Sequence, residues 1–325
     1  MKRPSFIAAV SAAAILTSIR AGRAATTEYN LGSGPATLFG TLSMPASPEK
    51  PPVVLIIAGS GPTDRNGNAG MVRTDTYRLL AQALASDGIA CVRYDKRGVA
   101  ESAAVAPSEA DLRFETYASD AADWIAKLRA DARFGPVGIA GHSEGSLLGM
   151  LAAQRTHVDA FISLEGAGFP AATELRRQLA PKLAATPDLA AASERILTAL
   201  SAGATVADVP EPLIALYRSA VQPYLISWFR YDPRVEIAKV AAPATIVAGT
   251  YDVQVPVEDA RALAAAQPHA KLVIVERMSH VLKEATDATL ASQVSTVYAD
   301  PALPLDSAVP KAIVATFKTS TTAPA

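Results

Sequence analysis

Continuous apolar runs alternate along this chain with stretches whose apolar positions recur every three or four residues. The runs are Val53-Val54-Leu55-Ile56-Ile57-Ala58, Ile89-Ala90-Cys91-Val92, Val137-Gly138-Ile139-Ala140, Ala160-Phe161-Ile162-Ser163-Leu164, Ala244-Thr245-Ile246-Val247-Ala248 and Leu272-Val273-Ile274-Val275. Unbroken apolarity over so few residues marks strands buried on both faces of a parallel sheet. Between them, Tyr77, Leu80, Ala81 and Leu84 fall at helical spacing until Gly88 stops the pattern. Ala121, Trp124, Ile125 and Leu128 do the same within 116–131, and further helices are predicted after Ser143 and over 257–266. Strand alternating with helix predicts an α/β fold: a mostly parallel central sheet with right-handed crossovers, flanked by helices. Ahead of it, residues 29–44 predict a hairpin broken at Gly32-Ser33-Gly34-Pro35.

The rhythm fails once. Residues 169–240 contain no buried-strand run, only Ala/Leu/Arg helical segments interrupted by Pro181, Pro187, Pro210, Pro212 and Pro223. This reads as a helical cap inserted between two sheet strands and covering the Ser143 turn, so that 25–168 and 241–325 form the core. The aromatic end of the insertion, with Tyr224, Trp228, Phe229 and Tyr231, either walls a pocket or anchors the cap to the sheet. Beyond the last strand, 301–310 reads as a Pro-rich connector, 311–317 as a closing helix and 318–325 as a disordered tail.

At the other end, residues 1–24 begin with Lys2 and Arg3, run apolar from Phe6 to Leu16 and end in small residues around Ala24. This is the pattern of a secretory signal, cut near Ala24, and the run is too short for a comfortable membrane span. Export to the periplasm or beyond is the expectation, with no stable span afterwards. Losing Lys2, Arg3, Arg20 and Arg23 moves the net charge from −1 to −5, which argues against nucleic acid as a partner. The single cysteine, Cys91, sits inside an apolar run and reads as a buried hydrophobe. No Cys/His spacing supports a metal, and Asp64-Arg65-Asn66-Gly67-Asn68 lacks the later Glu of a calcium loop, so it reads as a polar turn. Asp95-Lys96-Arg97-Gly98, just after a strand, reads first as solvated turn residues or an Asp95–Arg97 brace, and second as charges that line a site. Nothing in the sequence sets an oligomeric state.

Chemistry concentrates at Gly141-His142-Ser143-Glu144-Gly145, a strand-turn-helix junction. Small residues two positions either side of a serine let strand and helix approach, and hold the serine hydroxyl clear of the sheet. The next N–H, that of Glu144, opens the helix without an internal acceptor and is a candidate oxyanion donor. A second donor is expected from Ser60 or Gly61, in the glycine-rich loop after the Val53 strand. A serine nucleophile needs a base and an orienting carboxylate. Asp252 falls just past one strand and His280 just past the last, in the chain order this chemistry requires. Among the four histidines, His142 reads as projecting away from the serine, and His157 and His269 as exposed, which leaves His280. Glu276 is the second candidate for the acid.

These motifs together resemble the α/β-hydrolases: the elbow at 141–145, the acid turn at 249–256 and the histidine loop at 278–282. Gly59-Ser60-Gly61-Pro62-Thr63-Asp64-Arg65, Tyr94-Asp95-Lys96-Arg97-Gly98 and Trp228-Phe229-Arg230-Tyr231-Asp232-Pro233 resemble a bacterial exported, serine esterase-like subgroup. The likeness covers nearly the whole mature chain. Two positions depart from it: Ala58 where many relatives have His, and Ala100 in place of a common Gly. The resemblance implies hydrolysis of a carboxylic ester or related acyl bond in a small-molecule substrate, without a cofactor. Peptidase, thioesterase and acyltransferase chemistry use the same triad, and a non-catalytic binding protein on this scaffold is the alternative outside enzymes.

Overall fold

The apolar runs form strands, five of them buried throughout; the last, over 271–275, is not buried as expected, because it forms the edge of the sheet and leaves Leu272 and Ile274 exposed. The computed structural model describes residues 25–105 and 108–320; the signal expected over 1–24 lies outside them. The strands are β1 (Ala25–Glu28), β2 (Gly40–Met44), β3 (Val53–Ile57), β4 (Asn68–Ala69), β5 (Val72–Arg73), β6 (Ala90–Tyr94), β7 (Val137–His142), β8 (Ala160–Leu164), β9 (Ala244–Gly249) and β10 (Lys271–Val275). Eight of them join in the order β1-β2-β6-β3-β7-β8-β9-β10, while β4 and β5 pair by themselves. From β6 to β10 all neighbours are parallel, and β2 runs antiparallel to both β1 and β6. The hairpin expected over 29–44 starts earlier, at Ala25, and its arms meet again at the Leu31–Leu38 bridge.

Along β3, Val53, Leu55 and Ile57 pack with Trp124, Ile125 and Leu128 on one face of the sheet. Val54 and Ile56 pack with Tyr77, Leu80, Leu84 and Ile313 on the other. Two covered faces require an apolar residue at every position, which is why the period-2 alternation of a half-exposed strand is missing. Each such side chain matters: Leu55→Ala would cost about 2–5 kcal/mol of stability.

The covering helices are α1 (Thr76–Ser86), α2 (Phe114–Ala130) and α3 (Glu144–Arg155). Between β8 and β9 come α4 (Ala171–Leu183), α5 (Pro187–Ser201), α6 (Ile214–Tyr217), α7 (Gln222–Phe229) and α8 (Pro233–Ile237), followed later by α9 (Val257–Ala266), α10 (Leu290–Ser295) and α11 (Ala308–Ser320). Leu197, Leu200 and Leu225 tie the α4–α8 stretch to the cluster that α2 and α3 share. The tail is helical through Ser320, beyond the Lys318 at which disorder was expected, because Ile313 and Phe317 bury against the sheet; 321–325 lie outside the described residues. Parallel strands deliver their C-terminal turns to one edge of the sheet, and there the chemistry-bearing loops meet.

Candidate active site

β7 ends at His142 and α3 starts at Glu144, so Ser143 alone makes the turn. Its φ of 54° and ψ of −123° lie in a region that costs a side-chain-bearing residue on the order of 1–3 kcal/mol. The close fit around it holds the strain. A Cβ on Gly141 would overlap the Gly145 carbonyl, and one on Gly145 would overlap the Ile57 carbonyl. Ser143 N–H donates to Leu164 C=O at 2.9 Å, fastening the turn to β8. The N–H groups of Glu144, Ser60 and Gly61 have no acceptor among the described residues.

Asp252 and His280 are brought together. Asp252 Oδ2 accepts the His280 Nδ1–H at 2.6 Å, and its Oδ1 accepts the Gln254 and Val255 N–H groups at 2.7 and 2.9 Å. Burial disfavours the carboxylate, but His280 and the Val255 N–H outweigh it and hold the Asp252 pKa below the ordinary value. His280 and Ser143 line one cavity of about 220 Å³. No hydrogen bond joins them among the described residues; in ligand-free sites such bonds are often long and close around substrate. Glu276 is exposed and accepts the Thr250 hydroxyl at 3.1 Å. His157 and His269 are exposed.

Three buried groups around this pair escaped the sequence reading. His142 does not project away from the site: it lines the same cavity, 4.8 Å ring to ring from His280. Its Nε2–H donates to His280 C=O at 2.7 Å, and its Nδ1 accepts the Tyr77 hydroxyl at 2.8 Å. Tyr77 in turn accepts the Gly59 N–H at 3.1 Å. Burial first, and the His280 charge second, push the His142 pKa down to about 3, so it stays neutral. The third group is Glu165, which follows β8 and accepts the Gly249 N–H at 2.8 Å. Burial, then the adjacent Asp252 charge, raise its pKa well above the usual range and favour its neutral form. Its place at the C-terminal end of an inner strand was the available signal.

At the turn after β6 the two favoured readings fail for Asp95 and Lys96, which are buried. No Asp95–Arg97 pair forms: Asp95 accepts the Arg65 N–H at 2.7 Å, and Arg97 grips Asp120 at 2.6 and 2.7 Å. Lys96 is 2% exposed. Its Nζ donates to Gly59 C=O at 2.6 Å and to Glu144 Oε1 at 3.1 Å. A compact ammonium on a long stem reaches two loops that neutral turn residues would leave unlinked.

A larger cavity of about 420 Å³ also has Ser143 in its lining and is walled by Leu147, Phe169, Leu175, Leu225 and Trp228. Both readings of the aromatic end apply, since Trp228 lines this cavity and also stacks on Phe114 of α2 at 5.6 Å. Among the described residues no His/Cys/Asp/Glu cluster is arranged to hold a metal, and no helix is long and apolar enough to cross a membrane. Cys91 is buried, its thiol pushed up to about 12 by desolvation.

Comparison with known proteins agrees with this architecture. Esterase EstD from Thermotoga maritima is 23% identical over 248 residues, spanning 75% of this chain and 58% of that protein. Est1E from Butyrivibrio proteoclasticus, also solved with ferulic acid bound, superposes with a TM-score of 0.56 at 17% identity, over 90% of this chain and 99% of its own. A thermophilic esterase from Thermogutta terrifontis gives 0.53 at 18% identity, over 92% and 100%. The sequence profile of the alpha/beta hydrolase family matches residues 53–293, a stretch that runs from β3 past the histidine loop and takes in the elbow, the acid turn and every inner strand. On that match, the chain belongs to the alpha/beta hydrolase family.

Proposed function

We propose that this protein hydrolyses carboxylic esters through an acyl-enzyme on Ser143. Ser143 attacks the acyl carbon, His280 Nε2 takes the hydroxyl proton and returns it to the leaving alcohol, and Asp252 holds the Nδ1–H. The N–H of Glu144 and that of Ser60 or Gly61 receive the oxyanion. The observation that carries this reading is the 2.6 Å Asp252–His280 bond at a cavity that Ser143 also lines. The leaving alcohol must lie within reach of His280, so the smaller cavity takes the alcohol. The larger apolar cavity takes the acyl chain. Residues 169–240 act as the cap over it, and the core is 25–168 with 241–325.

The test is turnover of p-nitrophenyl esters from acetate to palmitate by wild type and Ser143→Ala. Turnover lost in the variant with folding intact supports the assignment, and the optimum chain length sizes the larger cavity. Equal turnover in both refutes it. Fluorophosphonate labelling of Ser143 without ester turnover would move the chemistry to thioester, peptide or transfer reactions. Export with cleavage near Ala24 is a separate proposal, resting on Lys2, Arg3 and the apolar run that follows. Mass spectrometry of the N-terminus of protein recovered from cell fractions tests it.

A further inference from the structure

We propose that Lys96 is a positioning residue which sets both halves of the oxyanion hole, and that the second donor is the N–H of Ser60 rather than of Gly61. This rests on the reading of Ser143 as nucleophile. One ammonium holds the two elements that must converge: the carbonyl of Gly59 at 2.6 Å and the side chain of Glu144 at 3.1 Å. In a planar trans peptide the C=O of one residue and the N–H of the next point in opposite directions. Lys96 draws the Gly59 carbonyl to itself, so the Ser60 N–H is turned to the opposite side. The Gly59 backbone lies against Ser143: a Cβ built on it would stand 3.2 Å from Ser143 Cβ. The preceding N–H of Gly59 is itself engaged by Tyr77 at 3.1 Å, and the carbonyl of Ser60 by the Thr63 hydroxyl at 3.2 Å. Ser60 N–H is left without an acceptor, in a residue that lines both cavities at Ser143. The Gly59–Ser60 peptide is thus pinned on every side except the one where an oxyanion would sit.

Lys96 lines neither of those two cavities; it borders a third, of about 420 Å³, together with Gly61, Pro62 and Glu144. Its own position is set from both sides, by Asp95 on the Arg65 N–H and by Arg97 on Asp120. Tyr117 closes over it, with its ring 5.0 Å from Nζ. Lys96 and Glu144 side chains are each 2% exposed, so the pair is a fixed strut rather than a surface contact.

The experiment compares wild type, Lys96→Met and Lys96→Met/Glu144→Gln, the double variant leaving no uncompensated buried charge. Three quantities are read: kcat and KM for a p-nitrophenyl ester, affinity for an alkyl boronic acid that forms a tetrahedral adduct, and the rate constant of Ser143 phosphonylation by a fluorophosphonate. Loss of one oxyanion donor lowers kcat by about 10²–10³-fold. Both variants are expected to approach that loss with KM nearly unchanged, and to lose boronate affinity and phosphonylation rate in parallel. A folded double variant whose kcat, adduct affinity and phosphonylation rate match wild type overturns the proposal, as does a change confined to KM. If both variants fail to fold, the wild-type phosphonyl adduct decides: its oxygen within hydrogen-bond distance of Ser60 N supports the assignment, and on Gly61 N overturns it. Wild type that turns over no ester yet phosphonylates rapidly at Ser143 defeats the ester reading alone. A Ser143 inert to the reagent defeats both.

Discussion

The two sides of Ser143 are held by different kinds of bond. On the β9/β10 side, Asp252 and His280 meet side chain to side chain at 2.6 Å. On the β3/β7 side, the groups proposed to receive the oxyanion are backbone N–H groups, and the side chains bonded to their neighbours stand behind them: Lys96 on the Gly59 carbonyl and the Glu144 side chain, and Tyr77 on the Gly59 N–H. The first side announces itself through residue types suited to the chemistry. The second uses an N–H that any non-proline residue possesses, so its identity depends on which way a peptide plane faces. A backbone donor is preorganised by its surroundings and immune to its own side chain, whereas a side-chain donor or acceptor is lost with one substitution.

The largest effect should fall on the side-chain half. Asp252→Asn keeps the size of the acid but favours the wrong imidazole tautomer, and is expected to lower kcat by about 10⁴-fold with the fold retained, measured by steady-state ester hydrolysis. A loss below tenfold would mean that Asp252 does not orient the base. On the backbone half, Tyr77→Phe removes one hydroxyl that serves both the Gly59 N–H and His142 Nδ1. Each of the two stranded buried polar groups is expected to cost about 1–3 kcal/mol in urea unfolding, with a smaller kcat loss than Asp252→Asn. An equal kcat loss would erase the distinction between the halves.

Stability against pH separates two groups that flank the acid–histidine pair. His142 titrates at about 3 in the folded protein against 6.5 for the free group. The unfolded chain takes up that proton first, so the contribution is intact above 6.5 and is lost as pH falls toward 3. Glu165 works in the other sense. Its pKa is raised from 4.5, so its contribution is intact below 4.5 and is lost as pH rises, because the unfolded chain ionises while the folded one holds its proton. Between the ordinary values of the two free groups, 4.5 and 6.5, these contributions oppose each other. Glu165→Gln removes one of them and should gain on wild type by up to about 1.4 kcal/mol per pH unit above 4.5, read from urea midpoints across pH. Parallel wild-type and variant curves in that window would show Glu165 to be ionised.

The smallest effect belongs to the loop that carries Lys96. Ala100 has a φ of 44°, in the left-handed region where a Cβ is penalised and glycine is not. Ala100→Gly should therefore raise stability by up to about 1 kcal/mol in chemical denaturation while leaving ester turnover unchanged.

The sequence by itself determined the parts of this protein that rest on local pattern. Unbroken apolar runs placed β3, β6, β7, β8 and β9, because a strand covered on both faces admits no polar alternation. The glycines around Ser143 marked the elbow, because only their missing Cβ atoms let β7, α3 and β3 close up. Residue order and type placed Asp252 and His280 in turns at the sheet's C-terminal edge. The tertiary structure decided what depends on partners distant in the chain. Lys96 and Glu144 are 48 residues apart, and Tyr77 and His142 are 65. No local pattern distinguishes a buried lysine tying two loops together from one waving in solvent. Residues 95–98 read as an exposed turn because charged residues after a strand usually are exposed. Here β6 lies beside β3 in the sheet, and that adjacency carries Lys96 beneath the loop it holds.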